Sequence, residues 1–357
     1  MPKFNNTRLA LARKRRGLSK VGLAQAVELV PRTISMYEAG SHVPSEVTIG
    51  ALAQALRFPV DFFYGAAIDE PPTEAASFRS LKSMTSGQRD AVLAAGSLAY
   101  LLNDWIAERF VLTSADIPDL REYKPEEAAA YVRSQWGMGQ EPIKNMIHLL
   151  EFRGARVFSL VEDNAAVDAF SIWRKDVPFV FLNTMKSAEH SRFDAAHELG
   201  HLVLHRHDGR GRDLEHEANL FASAFLMPRG SVLGAAPCEP SIDRMISLKR
   251  RWNVSVGALV YRLRSLNLLS EWSYRTLCIE INKRGFRRSE PNGIPRETSQ
   301  VLTKIFTALW AERVTREEVA KQIQISSADL DALVFEIIRT PPTSDAPPTN
   351  GPRLRLV

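Results

Sequence analysis

Cysteine is scarce in this chain: 357 residues hold only Cys238 and Cys278, and neither lies in a CxxC pair. That excludes a disulfide framework and a cysteine-rich zinc module, and it reads as two free thiols in a reducing compartment. Long apolar runs are missing too. No stretch of 18 apolar residues occurs, so no helix is expected to span a membrane. The opening Met1-Pro2-Lys3-Phe4-Asn5-Asn6 reaches charge before any apolar core, so no secretory signal is expected and the protein is read as cytoplasmic. No internal repeat announces a solenoid. What is present is ordinary for a globular chain, 45% hydrophobic and 24% charged, with length enough for two or three domains.

Charge is unevenly placed. Residues 1–64 hold nine Lys or Arg against four acids, so the whole formal excess of +5 sits in that segment. A local polyanion partner is one reading and a solvated basic face the other.

Apolar residues at helical spacing dominate 7–63. A first helix is expected over Arg8–Arg16 and a second after Ser19, a plausible N-cap that turns Leu23, Ala24 and Val27 inward. A third begins at Pro31, where the missing N–H costs nothing, and ends at Gly40. A fourth carries Ile49, Leu52, Ala53 and Leu56. Two helices joined by a turn, the second rich in Arg, Thr and Ser at its start, form a helix-turn-helix. The string GLSKVGLAQAVELVPRTISMYEAG, with Pro44 and the ending LAQALRFPVDFF, resembles the Cro/phage-repressor (Xre) type from about Arg8 to Phe63. That resemblance implies binding to a double-stranded DNA operator. Lys20 would touch phosphate, and Arg32, Thr33, Ser35 and Met36 would face the major groove. Glu28 stands where the type usually has Gly, and Lys20 where it usually has Gln.

Residues 197–201 read HELGH. Histidines at i and i+4 project from one helix face, so His197 and His201 can meet one metal ion, and Glu198 lies about a quarter-turn around. A catalytic zinc site wants a third protein ligand. The next helix offers Glu215 and Glu217, which flank its apolar stripe of Leu214, Ala218, Phe221 and Phe225 on opposite sides. Glu215 shares its side with Asn219, a pairing that suits a ligand and a group that orients a histidine. Glu217 stays open as the third ligand on geometry alone. His205, one further i+4 step, and Arg192 read as structural or helix-end residues.

The stretch RFDAAHELGHLVLH followed by EHEANLFASAFLMP resembles the ImmA/IrrE family of metallopeptidases over about residues 120–265. The resemblance implies that His197, His201 and Glu215 bind Zn2+ and that Glu198 is the general acid/base. It also implies cleavage of a repressor or other regulatory protein in a stress, phage or mobile-element response. A homodimer is expected, in keeping with paired operator half-sites. The alternative is a non-proteolytic regulator or antitoxin-like protein whose peptidase fold senses a signal or holds a partner.

The expected fold is α+β and mostly α. An Xre-type domain over 1–65 is followed by a linker at 66–86 and a zincin-like metallopeptidase domain over 87–269, with its motif core at 152–230. A C-terminal helical module at 270–340 and a disordered tail at 341–357 complete it. Helices are expected at 87–111, 125–151, 190–206 and 213–227, and strands at 155–161, 169–173 and 178–183. Thr315 to Leu333 resembles a second helix-turn-helix but lacks base-reading side chains at Ser326, Ser327, Ala328 and Asp329, so a packing or docking module is the favoured reading.

Overall fold

A computed structural model describes residues 3–72, 84–160, 169–206, 212–334 and 337–338. The tail at 341–357 and residues 73–83 of the linker lie outside the described residues.

Local chemistry starts most helices. Asn5 caps α1 (Asn6–Arg15), Ser19 caps α2 (Lys20–Ala26) and Ser45 caps α4 (Glu46–Leu56), each accepting a hydrogen bond from a first-turn N–H. α3 (Pro31–Glu38) begins on its proline. A short 3-10 turn, Val60–Tyr64, closes this set. Thr85 and Gln88 form a reciprocal capping box at the head of α5 (Ser86–Ala107). The helix expected over 125–151 is in fact two, α6 (Pro125–Gln135) and α7 (Met146–Phe152). Gly137 and Gly139 take φ of 68° and 53°, which ends α6, and Pro142 has no N–H with which to resume a helix.

Next come β1 (Arg156–Leu160), β2 (Phe170–Arg174) and β3 (Val177–Asn183), hydrogen-bonded in the order β1-β3-β2. β2 and β3 are antiparallel, with Phe170 opposite Phe181 and Ser171 opposite Val180. The central strand is buried on both faces from Pro178 to Asn183, as its continuous apolar run implies. Helices follow as α8 (Ala188–Leu204), α9 (Arg212–Leu226), α10 (Arg229–Leu233), α11 (Ile242–Leu248) and α12 (Val256–Ser265). The mixed stretch after 270 holds a 13-residue helix, α13 (Glu271–Lys283), that its interspersed charges conceal. α14 (Gln300–Ala311), α15 (Arg316–Gln322) and α16 (Ser327–Val334) complete the described helices. The fold is α+β and mostly α.

The chain divides into two compact units. One comprises residues 1–112, 158–167 and 300–357. Leu9, Leu23, Ile34, Leu52, Leu56, Phe62 and Phe63 form the buried centre of its first five helical elements. α5 packs on α1, and α16 packs on α5. Trp105 Nε1 donates to Gln322 Oε1 at 3.2 Å. Asp329, at the start of α16, takes both Arg16 guanidinium nitrogens, at 2.8 and 2.7 Å, and faces Arg15 Nε at 3.2 Å. The second helix of the C-terminal helix-turn-helix-like pair thus spends its first turn on α1, which is what a packing module does.

The other unit comprises residues 113–157 and 168–299. α8 packs on α9, α9 packs on α6, and α8 lies on β2 and β3. Residues 290–299 tie down the head of α8. Glu290 Oε1 and Glu189 Oε1 both meet the buried Lys249 Nζ at 3.2 Å, and Ile294 N–H donates to Glu189 Oε1 at 3.1 Å. Glu297 pairs with Arg192, a fully buried side chain, and also accepts from Met146 N–H at 2.8 Å at the start of α7. Ser299 Oγ donates to Glu151.

Candidate metal centre and nucleic-acid face

Two neighbouring helices build the centre. α8 carries HELGH in its last half, with Leu199, Leu202 and Val203 buried around the polar residues. Its glycine permits a close approach of the two helices. A Cβ on Gly200 would sit 3.1 Å from a Phe221 ring carbon and 3.3 Å from the Ala218 backbone, so a side chain there would need α9 to give by a few tenths of an ångström. The close approach brings Glu215 over the two histidines.

His197 Nε2 and His201 Nε2 are 3.1 Å apart, and Glu215 oxygens lie 3.3 Å from the first and 3.4 Å from the second. These residues form a group able to hold a metal ion, with one ligand atom from each within 4.8 Å of the others. Glu215 Oε1 is buried and makes no hydrogen bond. Burial disfavours charge on Glu215, yet the His197 and His201 imidazoles outweigh it and hold the carboxyl well below the usual range. Burial likewise opposes a charged His197, but Glu215's hydrogen bond and the fields of Glu198, Glu215 and Asp194 raise its pKa. Two imidazole nitrogens and a carboxylate thus converge on one buried point, and the carboxylate draws positive charge to it.

The surroundings decide which nitrogen of each histidine faces that point. Asn219 Nδ2 donates to Glu215 O at 2.8 Å, so its Oδ1 is turned to His197 Nδ1, 3.2 Å away. His197 therefore keeps its proton on Nδ1 and a lone pair on Nε2. Glu198 is buried, and Ser171 Oγ on β2 donates to its Oε2 at 2.6 Å. Glu217 is not in the convergent group: its Oε2 lies 2.9 Å from His205 Nε2. Sequence reasoning did not single out Ser171, whose contact with α8 is set by sheet packing. His205 ends α8 as its C-cap, the helix-end place its sequence position implies.

Comparison with known families follows these positions. A peptidase-family model described as the IrrE N-terminal-like domain matches residues 151–264, which include the whole centre. A model described as a helix-turn-helix domain matches residues 7–61. The chain joins a helix-turn-helix domain to an IrrE-like metallopeptidase-type domain. No curated protein matches the chain.

In the helix-turn-helix domain, Arg32 at the head of α3 is exposed, with no partner among the described residues, while Thr33, Ser35 and Met36 are half-buried on the same helix. Lys20 opens α2 and stands 3.5 Å from Glu38 Oε2 while 44% exposed. The basic excess of this segment is largely spent at home. Arg13 forks onto Glu38, Arg15 and Arg16 onto Asp329, and Lys14 onto Glu70. Arg8 is buried against the Phe62 ring, and desolvation lowers its pKa to about 10. Net charge therefore overstates what the domain offers a polyanion. Glu28, the turn residue, adopts φ 55°, the left-handed conformation that explains why glycine is usual there.

Proposed function

We propose that this chain is a DNA-binding regulator whose second domain is a zinc endopeptidase acting on a regulatory protein, with a repressor as the leading substrate class. The convergence of His197, His201 and Glu215 beside a buried Glu198 carries this reading. Donors at the corners of a zinc tetrahedron, each about 2.0–2.1 Å from the ion, would be roughly 3.3 Å apart. The two imidazole nitrogens, 3.1 Å apart, lie near that figure, and Glu215 turns one oxygen to each of them, at 3.3 and 3.4 Å, so the carboxylate closes the site from the second helix. The donor set of two imidazoles and one carboxylate is of the kind that leaves a fourth position open in catalytic zinc sites.

Zinc held by these residues supplies a Lewis acid for a peptide carbonyl and acidifies the attacking water. The chain's own residues do the rest. Glu198 accepts the water's proton and delivers it to the leaving amine nitrogen. Ser171 Oγ–H donates to Glu198 Oε2 and so orients the carboxylate that moves the proton. Asn219 fixes His197. On the other domain, Arg32, Thr33, Ser35 and Met36 meet base edges and Lys20 meets phosphate, on an operator whose half-sites are paired by a homodimer.

The test is expression of wild type and Glu198→Gln in cells, followed by a proteome-wide search for proteins cleaved only by the first. Glu198→Gln should retain one zinc per chain, because it removes the proton carrier and no ligand. Cleavage of the same proteins by both forms would refute the mechanism. Intact zinc with no wild-type cleavage would favour a sensor role.

A further inference from the structure

His201 turns Nε2 toward His197 and Glu215, so its Nδ1 faces the other way. It meets His205 Nδ1 at 3.0 Å. His205 Nε2 then lies 2.9 Å from Glu217 Oε2. His205 is well placed to hold this line. It caps the C-terminus of α8 with its own N–H on His201 O at 2.9 Å, and its side chain is only 3% exposed. The line thus runs from the metal group, through two rings on one helix, to a carboxylate on the next.

Two facing ring nitrogens at this distance share one proton, and the carboxylate decides which ring owns it. Glu217 as a carboxylate can only accept, so the proton between it and His205 belongs to Nε2. A neutral His205 then presents a lone pair at Nδ1, and His201 must donate from its own Nδ1. That leaves the His201 Nε2 lone pair directed at His197 and Glu215. The opposite assignment would place a proton on His201 Nε2, where a cation belongs.

We propose that His205 and Glu217 are positioning residues that lock His201 in its metal-binding tautomer and raise its strength as a ligand. The inference rests on the metal-centre reading above. It makes the two histidine ligands unequal: His197 is oriented by a neutral amide, Asn219, whereas His201 is backed by a carboxylate through an intervening ring. Because Glu217 is 44% exposed, water screens its charge, so His205 carries most of the effect.

The experiment measures zinc affinity of the full chain by competition with a chelator, with circular dichroism as a check on folding. His205→Leu should weaken zinc binding about 10–100-fold. His205→Asn keeps an acceptor beside His201 Nδ1 and should recover most of that loss. Glu217→Gln keeps the hydrogen bond without the charge and should cost less than about 10-fold. A long-range proton–nitrogen spectrum of the zinc-loaded wild type should show His201 protonated at Nδ1 and His205 at Nε2. Unchanged affinity in a folded His205→Leu protein, no advantage of Asn over Leu, or His205 protonated at Nδ1 would each overturn the relay. If His205→Leu fails to fold, the Glu217→Gln affinity and the wild-type spectrum decide the matter. A wild type that binds no zinc overturns the metal centre itself, and the relay with it.

Discussion

Replacing Asp329 by Asn tests whether the C-terminal helices are integral to the unit that holds the helix-turn-helix domain. Asp329 is 2% exposed and holds two Arg16 nitrogens and Arg15 Nε, with Ser326 Oγ donating to it at 2.6 Å. Asparagine keeps one acceptor and loses the charge. Hydrogen bonds to charged groups contribute about 1.5–3 kcal/mol net, and breaking a fully buried pair costs about 3–5 kcal/mol. Arg15 and Arg16 retain 11% and 22% exposure, so water partly compensates them. The expected loss is about 2–3 kcal/mol near neutral pH, or about 2–4 °C in Tm per kcal/mol for a unit of this size.

The pH dependence has a definite sign. Burial pushes the Asp329 carboxyl up, but Arg16, Arg15 and Ser326 outweigh it and hold the pKa below the usual value. A depressed folded-state pKa contributes stability in full above the unfolded value of about 4, and that contribution is lost as pH falls through the folded pKa. Urea unfolding of wild type and Asp329→Asn, followed by tryptophan fluorescence, should therefore show a gap that is full near neutrality and shrinks below about pH 4. A gap under about 0.5 kcal/mol at neutral pH, or one undiminished in acid, would refute the reasoning.

Glu28→Gly should stabilise the helix-turn-helix domain by up to about 1 kcal/mol, because only glycine takes φ 55° freely; unchanged thermal unfolding would count against strain there. It should also tighten DNA modestly by removing a negative charge. Gly200→Ala should weaken zinc binding by forcing α8 and α9 apart, at a cost of about 1–3 kcal/mol in stability, and unaltered chelator competition would show that the helices adjust. Arg32→Ala should cost about 1–3 kcal/mol on a specific operator, whereas Lys20→Ala should weaken specific and non-specific DNA alike and flatten the salt dependence. Equal losses from both on every sequence would remove Arg32 as a base reader.

The parts legible in the sequence were those with local causes. HELGH sets two imidazoles on one face by helical spacing alone, and the cap at Ser19 announces α2 within a few residues, whereas the capping box at Thr85 falls in what reads as linker. The break between α6 and α7 was less legible, since the apolar rows on either side of Gly137 and Gly139 run on at helical spacing. Pattern favours Glu215, which shares its side of the helix with Asn219, but helix geometry alone leaves Glu217 open. Their roles depend on how closely α9 approaches α8 at Gly200, which is a tertiary distance. The same holds for the arginines of α1, since nothing near Arg15 or Arg16 in the sequence predicts a carboxylate more than 300 residues away.

Residues 290–299 give the order of synthesis a consequence. The family match ends at 264, yet the buried Arg192 has its carboxylate partner, Glu297, translated later, and the buried Lys249, which meets Glu189, gains Glu290 only then. A ribosome adding 5–20 residues per second needs about 2–7 s to travel from 264 to 299. Throughout that interval the head of the ligand helix has unmatched charge and no closing segment. A nascent chain therefore carries every proposed zinc ligand before the segment that fixes the head of their helix has been made.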